Sequence, residues 1–270
     1  MSKIKLIAMD IDGTVLGKGH VVSKKTLDIL DKARNSNIKV CLATGRHILR
    51  TKNIAESIKS HLNGDYVVCL NGGGLYKFEN NNINTIFEVT FTVEEFDNIY
   101  KKAKELNVNC WSYDKKDNTS TVLKRNLFTF ALSKLSGRKS IVYKNDIKTL
   151  SYKLICNGKG KNIKKFKDYL NSSGFRYYDW SYSDSSKRIE VCPKGINKSY
   201  ALNKILELEN INLNEVAFFG DGDNDKELLK LVGYGVAMGN AHEEVKKHAT
   251  HITLKNTEDG IYEFLKDYIQ

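Results

Sequence analysis

Short apolar runs recur along the first third of the chain, and each is followed by a helical pattern. Residues 4–9 (IKLIAM) read as a buried strand, and Thr26, Leu27, Leu30 and Ala33 mark one face of a helix. Residues 38–42 form a second strand, Ile48 to Ile58 a second helix, and Tyr66 to Leu70 a third strand. These strands are apolar on both faces, as in a parallel sheet covered by helices on its two sides. Gly72 to Gly74 then interrupts the pattern.

The middle of the chain is patterned differently. Thr92-Val93-Glu94-Glu95 reads as a capping box opening a helix that runs to about Leu106. Strand-like stretches follow near 108–113, 119–123, 149–156 and 175–183, with helical patterns near 125–135 and 161–171. Their mixed polarity suits an open sheet with one solvated face. From about residue 187 the first pattern resumes. Strands are expected at 188–192, 215–219, 234–237 and 250–253, and helices at 197–209, 223–231, 241–247 and 258–268. The parse is an α/β domain of residues 1–84 plus 187–270, interrupted by an α+β domain of residues 85–186.

Composition narrows the class. Of 270 residues, 41% are hydrophobic and 28% charged, which excludes a disordered or collagen-like chain. No apolar run reaches the ~18 residues of a membrane span, and the first residues lack a secretory pattern, so a cytoplasmic protein with no membrane partner is expected. The formal charge is +11, of which residues 85–186 carry +8. The lysines are scattered among asparagines, without a basic block, so a solvated surface is favoured over nucleic-acid binding. Five cysteines without CxxC spacing read as buried, reduced thiols.

Chemistry-bearing residues fall at the ends of the expected strands. Asp10-Ile11-Asp12-Gly13-Thr14 follows the first, and period-two spacing points both carboxylates to one side. Two acids so close need a cation or a proton to relieve their repulsion. Ala43-Thr44-Gly45-Arg46 follows the second strand and offers a hydroxyl and backbone N–H groups to a phosphate, although for this motif alone a plain helix cap is the stronger reading. Asn71-Gly72-Gly73 follows the third. Lys198 lies in Pro193-Lys194-Gly195-Ile196-Asn197-Lys198, and Gly220-Asp221-Gly222-Asp223-Asn224-Asp225 crowds acids as hard-cation sites do.

In this order the motifs resemble those of the haloacid dehalogenase-like phosphatases, in their Cof-type branch. DIDGT, ATGR, NGG, PKGINK, GDGDND and the tail from Gly235 carry the resemblance, over roughly residues 4–75 and 187–265. It implies a Rossmann-like core with an inserted cap domain that closes over the site, and a Mg²⁺-dependent phosphohydrolase acting on small phosphorylated metabolites such as sugar phosphates. Asp10 would be the nucleophile and form an aspartyl-phosphate, and Asp12 the general acid and base. The metal would be held by Asp10, the Asp12 main-chain carbonyl and Asp221. Thr44, Gly45, Lys198 and Asn224 would bind phosphate, with Asn71, Gly72 and Asp225 in support. Ser199 departs from the pattern, in which glycine commonly follows the lysine.

Trp111, Tyr113, Trp180 and Tyr182 are candidates for lining a substrate pocket, with packing the stronger expectation for each. His47, after ATGR, is a candidate for touching substrate, with a place on the helix surface an equal expectation, and His242, His248 and His251 lack metal-ligand spacing. Two competing readings stand beside the phosphohydrolase: a phosphomutase or phosphotransferase of the same superfamily, and a non-enzymatic basic binding protein. The substrate and the oligomeric state are not legible in the sequence.

Overall fold

The computed structural model describes residues 3–80, 82–115, 118–144, 149–179 and 188–269. The chain divides into two compact units, one of Met1–Phe87 with Asn197–Gln270 and one of Glu88–Ile196.

The first unit opens with β1 (Leu6–Met9), α1 (Lys24–Asn35), β2 (Lys39–Ala43), α2 (Ile48–Ser57), α3 (Ser60–Asn63), β3 (Tyr66–Cys69), β4 (Gly74–Glu79) and β5 (Asn82–Glu88). The second contains α4 (Val93–Glu105), β6 (Asn109–Asp114), β7 (Thr119–Val122), α5 (Leu127–Ser136), β8 (Lys139–Val142), β9 (Ser151–Asn157), α6 (Gly160–Ser172), β10 (Arg176–Asp179) and β11 (Arg188–Cys192). The chain then returns to the first with α7 (Lys198–Glu209), β12 (Val216–Gly220), α8 (Lys226–Leu231), β13 (Tyr234–Ala237), α9 (Glu243–Lys246), β14 (His251–Ile252) and α10 (Gly260–Leu265).

The first unit is built on a sheet of order β14-β13-β12-β1-β2-β3-β4-β5. The strands from β14 to β3 are parallel, and β1, β3, β12 and β13 are buried at every position. The unbroken apolar runs in the sequence have this cause: helices cover both faces. β1 lies between β12 and β2, with Met9 opposite Phe219 and Leu42. The carboxyl ends of the three strands that precede Asp10, Thr44 and Asp221 are therefore neighbours. In an open α/β sheet that edge is where ligands bind. β4, antiparallel to β3, and β5 extend the sheet beyond the expected strands. Their alternating polarity and the glycines before them concealed them.

The second unit is a sheet of order β10-β11-β9-β6-β7-β8. Its larger core cluster packs Phe96, Ile99, Tyr100 and Ala103 of α4 and Ile163, Phe166 and Leu170 of α6 against apolar side chains from β6, β9 and β11. The expected boundaries at 84/85 and 186/187 therefore differ from the observed ones at 87/88 and 196/197. The strand 188–192, read as the return into the α/β domain, instead pairs antiparallel with both β10 and β9. Its apolar character fits either sheet, and only the pairing partners decide. Trp111 is fully buried in a smaller cluster with Val122 and Ile155, which is the packing role expected for it. Tyr113 lies beneath Lys153 and Arg138, whereas Trp180 and Tyr182 fall outside the described residues.

Lys153 on β9 and Glu190 on β11 form a buried ion pair, Nζ to Oε2 at 3.0 Å. Removing one partner takes away the opposite charge that faces the other in the protein interior, whereas replacing both removes the cost of desolvating either. Lys153→Met is expected to lose about 3–5 kcal/mol, and Lys153→Met with Glu190→Leu to recover most of that loss. Denaturant unfolding of the two variants and the parent provides the measurement.

Candidate active site

Asp10 is the first residue beyond β1 and is buried. Its Oδ1 accepts a hydrogen bond from Lys198 Nζ at 2.6 Å. The same ammonium donates to Asp225 Oδ1 at 2.7 Å. Lys198 is 1% exposed and Asp225 fully buried. An ammonium in such a place is tolerable only because two carboxylates face it. The other oxygen of Asp225 accepts the backbone N–H groups of Asp221 and Gly222 at 3.0 and 2.9 Å. Asp225 thus closes the acidic loop and positions Lys198 at the same time, so neither of its oxygens is left without a partner.

Lys198 begins α7, whose first turn is organised by Asn197. The Asn197 side chain accepts from Tyr200 N at 2.7 Å and donates to Glu227 Oε1 at 2.8 Å. Ser199, the departure from the family pattern, donates to Asn197 Oδ1 at 2.8 Å and to Glu227. The serine joins the capping network and leaves the lysine contacts intact. Gly72 makes this approach possible. Its φ is +98°, and a Cβ there would stand 1.8 Å from the Asn197 carbonyl oxygen. The NGG motif is therefore the seat on which the start of α7 rests.

Asn71 connects two other motifs. Its Oδ1 accepts from Asn224 Nδ2 at 2.7 Å, and Gly45 packs directly against the same amide. Thr44 is buried, and its hydroxyl accepts the N–H of Arg46 at 3.2 Å. Asp221 accepts from the Thr14 hydroxyl at 2.8 Å. Gly13, at φ +77°, lies so close to Asp221 that any side chain on it would clash with that carboxylate.

One sequence expectation is corrected. The period of two cannot orient Asp10 and Asp12, because β1 ends at Met9 and the strand rule does not extend past it. The Asp10 side chain is buried against Lys198, whereas that of Asp12 is 57% exposed and paired with Arg46. Arg46 Nε reaches Asp12 Oδ2 at 2.8 Å and the second fork nitrogen reaches Oδ1, a bidentate arrangement. Sequence reasoning missed Arg46, although its place in ATGR is a signal that was there to use. It also missed Asn240, which donates to the Gly13 carbonyl at 2.8 Å and ties the tail to the DIDGT turn. His47 and His242 each accept a backbone N–H at the start of a short helical run.

Carboxylate oxygens of Asp10, Asp221 and Asp225 lie within 4.8 Å of one another. Burial raises Asp10 well above the ordinary carboxylate range; the Lys198 charge opposes this, and the charges of Asp225 and Asp221 add to it. Asp221 is raised to about 6 by burial and then by the Asp225 charge. Burial works against the Lys198 ammonium, but Asp10 and Asp225 outweigh it and leave that group more basic than usual. Carboxylates crowded in one buried place, with Asp10 and Asp221 raised first by burial and then by neighbouring charge, and offering only oxygen, suit a hard divalent cation.

A parallel sheet with a buried lysine and an acid cluster at its carboxyl edge defines a hydrolase of the phosphoryl-transfer type. The chain matches the haloacid dehalogenase-like hydrolases over residues 7–265 and belongs to that family. It is 27% identical to the 5-amino-6-(5-phospho-D-ribitylamino)uracil phosphatase YcsE of Bacillus subtilis, over 98% of this chain and 96% of the relative. It is 26% identical to an HMP-PP phosphatase of Yersinia pseudotuberculosis, over 98% and 95%. A crystal structure of a haloacid dehalogenase-like hydrolase from Bacteroides thetaiotaomicron superposes with a TM-score of 0.76 at 26% identity, covering 98% of this chain and 99% of that one.

Two outcomes follow from this geometry. Gly72→Ala is expected to cost at least ~1–2 kcal/mol from the backbone conformation alone, with further loss from the clash at Asn197, read as a fall in Tm. Asp221 has a folded-state value above its unfolded one, so its contribution to stability is present at low pH and lost as pH rises through about 6. In chelator, Asp221→Asn is therefore expected to gain on the parent in Tm between pH 5 and pH 7.5. With the ligand set expected from the sequence, saturating Mg²⁺ should reverse the order at pH 7.5, because the parent alone keeps the Asp221 carboxylate.

Proposed function

We propose that this protein is a Mg²⁺-dependent phosphohydrolase that removes phosphate from small phosphorylated metabolites, sugar phosphates foremost, through an aspartyl-phosphate on Asp10. The observation that carries the reading is the Asp10 carboxylate held at the carboxyl end of the central strand, between the Lys198 ammonium and the acidic loop. The names of the two relatives, both phosphatases of phosphorylated small molecules, support the substrate class.

Mg²⁺ would be held by Asp10, the Asp12 carbonyl and Asp221, and when bound it supplies positive charge against the phosphoryl oxygens. The chain's own residues do the rest. Asp10 uses the oxygen not bonded to Lys198 to attack phosphorus, and the bond to the leaving oxygen breaks. Asp12 gives that oxygen a proton. Water then attacks the aspartyl-phosphate, Asp12 takes a proton from it, and Asp10 is regenerated with release of inorganic phosphate. Lys198 and Thr44 receive the phosphoryl oxygens, with Gly45 and Asn224 beside them. Asn71 and Gly72 hold that wall in place, and Asp225 keeps Lys198 aimed at Asp10. Phosphoryl transfer depends mainly on such charge placement and in-line positioning.

A cytoplasmic setting is part of the same reading. None of the five cysteines forms a disulfide, including Cys110 and Cys156, whose sulfurs lie 3.3 Å apart across β6 and β9. That pattern suits a reducing compartment. No described helix is long and apolar enough to cross a membrane.

A panel of phosphorylated metabolites assayed for inorganic phosphate tests the proposal. Release with Mg²⁺ is expected to fall to background in chelator. Asp10→Asn is expected to lose at least ~10³-fold in kcat, on the scale of losing a catalytic nucleophile. Activity retained in that variant removes the covalent route, and isomerised product without free phosphate identifies a phosphomutase instead.

A further inference from the structure

Five lysines of the second unit come together at one end of its sheet. Two adjoining cavities open there, of about 300 and about 840 Å³, and share Asn107, Asn109 and Lys124 as a common wall. Lys104 and Lys144 line the smaller, and Lys159 and Lys161 the larger. No acidic residue lines either cavity among the described residues. None of these five ammonium groups has a carboxylate partner among the described residues. Elsewhere in the unit Lys102, Lys115, Lys153, Lys167 and Lys194 are paired with acids, whereas Lys134, Lys139, Lys164 and Lys165 stand apart from carboxylates among the described residues but line neither cavity. Five unpaired like charges around one concavity repel one another, and an anion relieves that repulsion.

The walls differ in character. The smaller cavity has an apolar floor of Ala103, Val108, Leu123 and the buried ring of Tyr143. The larger is polar, lined by Asn157 and Asn162 as well as by lysine. The register of β6 and β9 sets Asn109 beside Asn157 at the mouth. Asn109 Oδ1 accepts from Asn126 Nδ2 at 2.9 Å, which orients its amide and leaves its own Nδ2 donors without a protein acceptor among the described residues. Gly160 opens α6 onto open space, so a ligand can approach the backbone there. Lysines line both cavities, and only the smaller adds an apolar floor, a combination that matches a molecule with a flat head and a phosphorylated tail.

We propose that the two cavities form one binding site for a nucleoside phosphate, with the nucleoside on the Val108–Leu123–Tyr143 floor and the phosphates between Lys124, Lys159 and Lys161. Two adjoining concavities with a common wall favour one small ligand over a polymer, which needs a continuous basic stripe. The site is built entirely from the second unit and shares no residue with the acid cluster. It therefore stands or falls independently of the catalytic reading.

Equilibrium dialysis of the full-length Asp10→Asn protein with ADP, adenosine, pyrophosphate and a single-stranded oligonucleotide tests it. ADP is expected to bind saturably and more tightly than either fragment. Lys124→Glu with Lys159→Glu should weaken ADP binding by at least about tenfold, the scale of one lost charge-assisted contact. The same pair in the Asp10-containing enzyme should leave turnover of p-nitrophenyl phosphate unchanged, which also reports correct folding. If turnover falls, the neutral pair Lys124→Gln with Lys159→Gln is read in its place, and Lys124→Arg with Lys159→Arg should retain ADP binding. Absence of saturable ADP binding, or affinity unchanged by the charge reversals, overturns the site. Pyrophosphate binding as tightly as ADP overturns the nucleoside assignment, and tighter binding of the oligonucleotide overturns the small-ligand one.

Discussion

The active centre depends on one buried cation. Lys198 donates to Asp10 and Asp225, residues 188 and 27 positions away in the chain, from a site that water does not reach. Each group would be costly in that place alone, and together they hold one another in register. The rest of the site is arranged around this contact. Asp225 shapes the acidic loop through two backbone N–H groups, Asn197 and Ser199 set the start of α7, and Gly72 gives α7 room to approach. The parallel sheet makes the meeting possible, because β12 and β1 are neighbours although more than 200 residues separate them.

The core was legible in the sequence because its signals are local. Buried parallel strands leave unbroken apolar runs, and Asp10, Thr44, Asn71 and Asp221 each follow such a run directly. The carboxyl-end rule for open α/β sheets then brings those motifs to one edge without any tertiary information. What could not be read was whatever depends on a partner far away in the chain. The strand 188–192 is as apolar as a core strand, and its place beside β9 and β10 is a fact of pairing. The strands β4 and β5 were lost for a related reason, since a glycine-rich turn and scattered polarity mask a sheet edge.

The site itself was read at the level of residue type more than of geometry. Sequence spacing suggested a shared orientation for Asp10 and Asp12, and the strand ends one residue too early for that rule. Arg46 was visible within its motif, but nothing in the order of residues says that its guanidinium reaches back 34 positions to Asp12. Asn240 and Ser199 are similar cases. Each is a common surface residue by type, and each gains its meaning from a contact that the fold supplies.

The separation of the two aspartates has a consequence for proton traffic. Asp10 is sealed among charges, whereas the Asp12 carboxyl borders bulk solvent beside an arginine fork. Under the proposed roles, the group that trades protons can be recharged from solution between turnovers while the nucleophile keeps its buried, charged partners. The chain thus keeps its nucleophile and its proton reservoir on a single turn, two residues apart, in surroundings of opposite wetness.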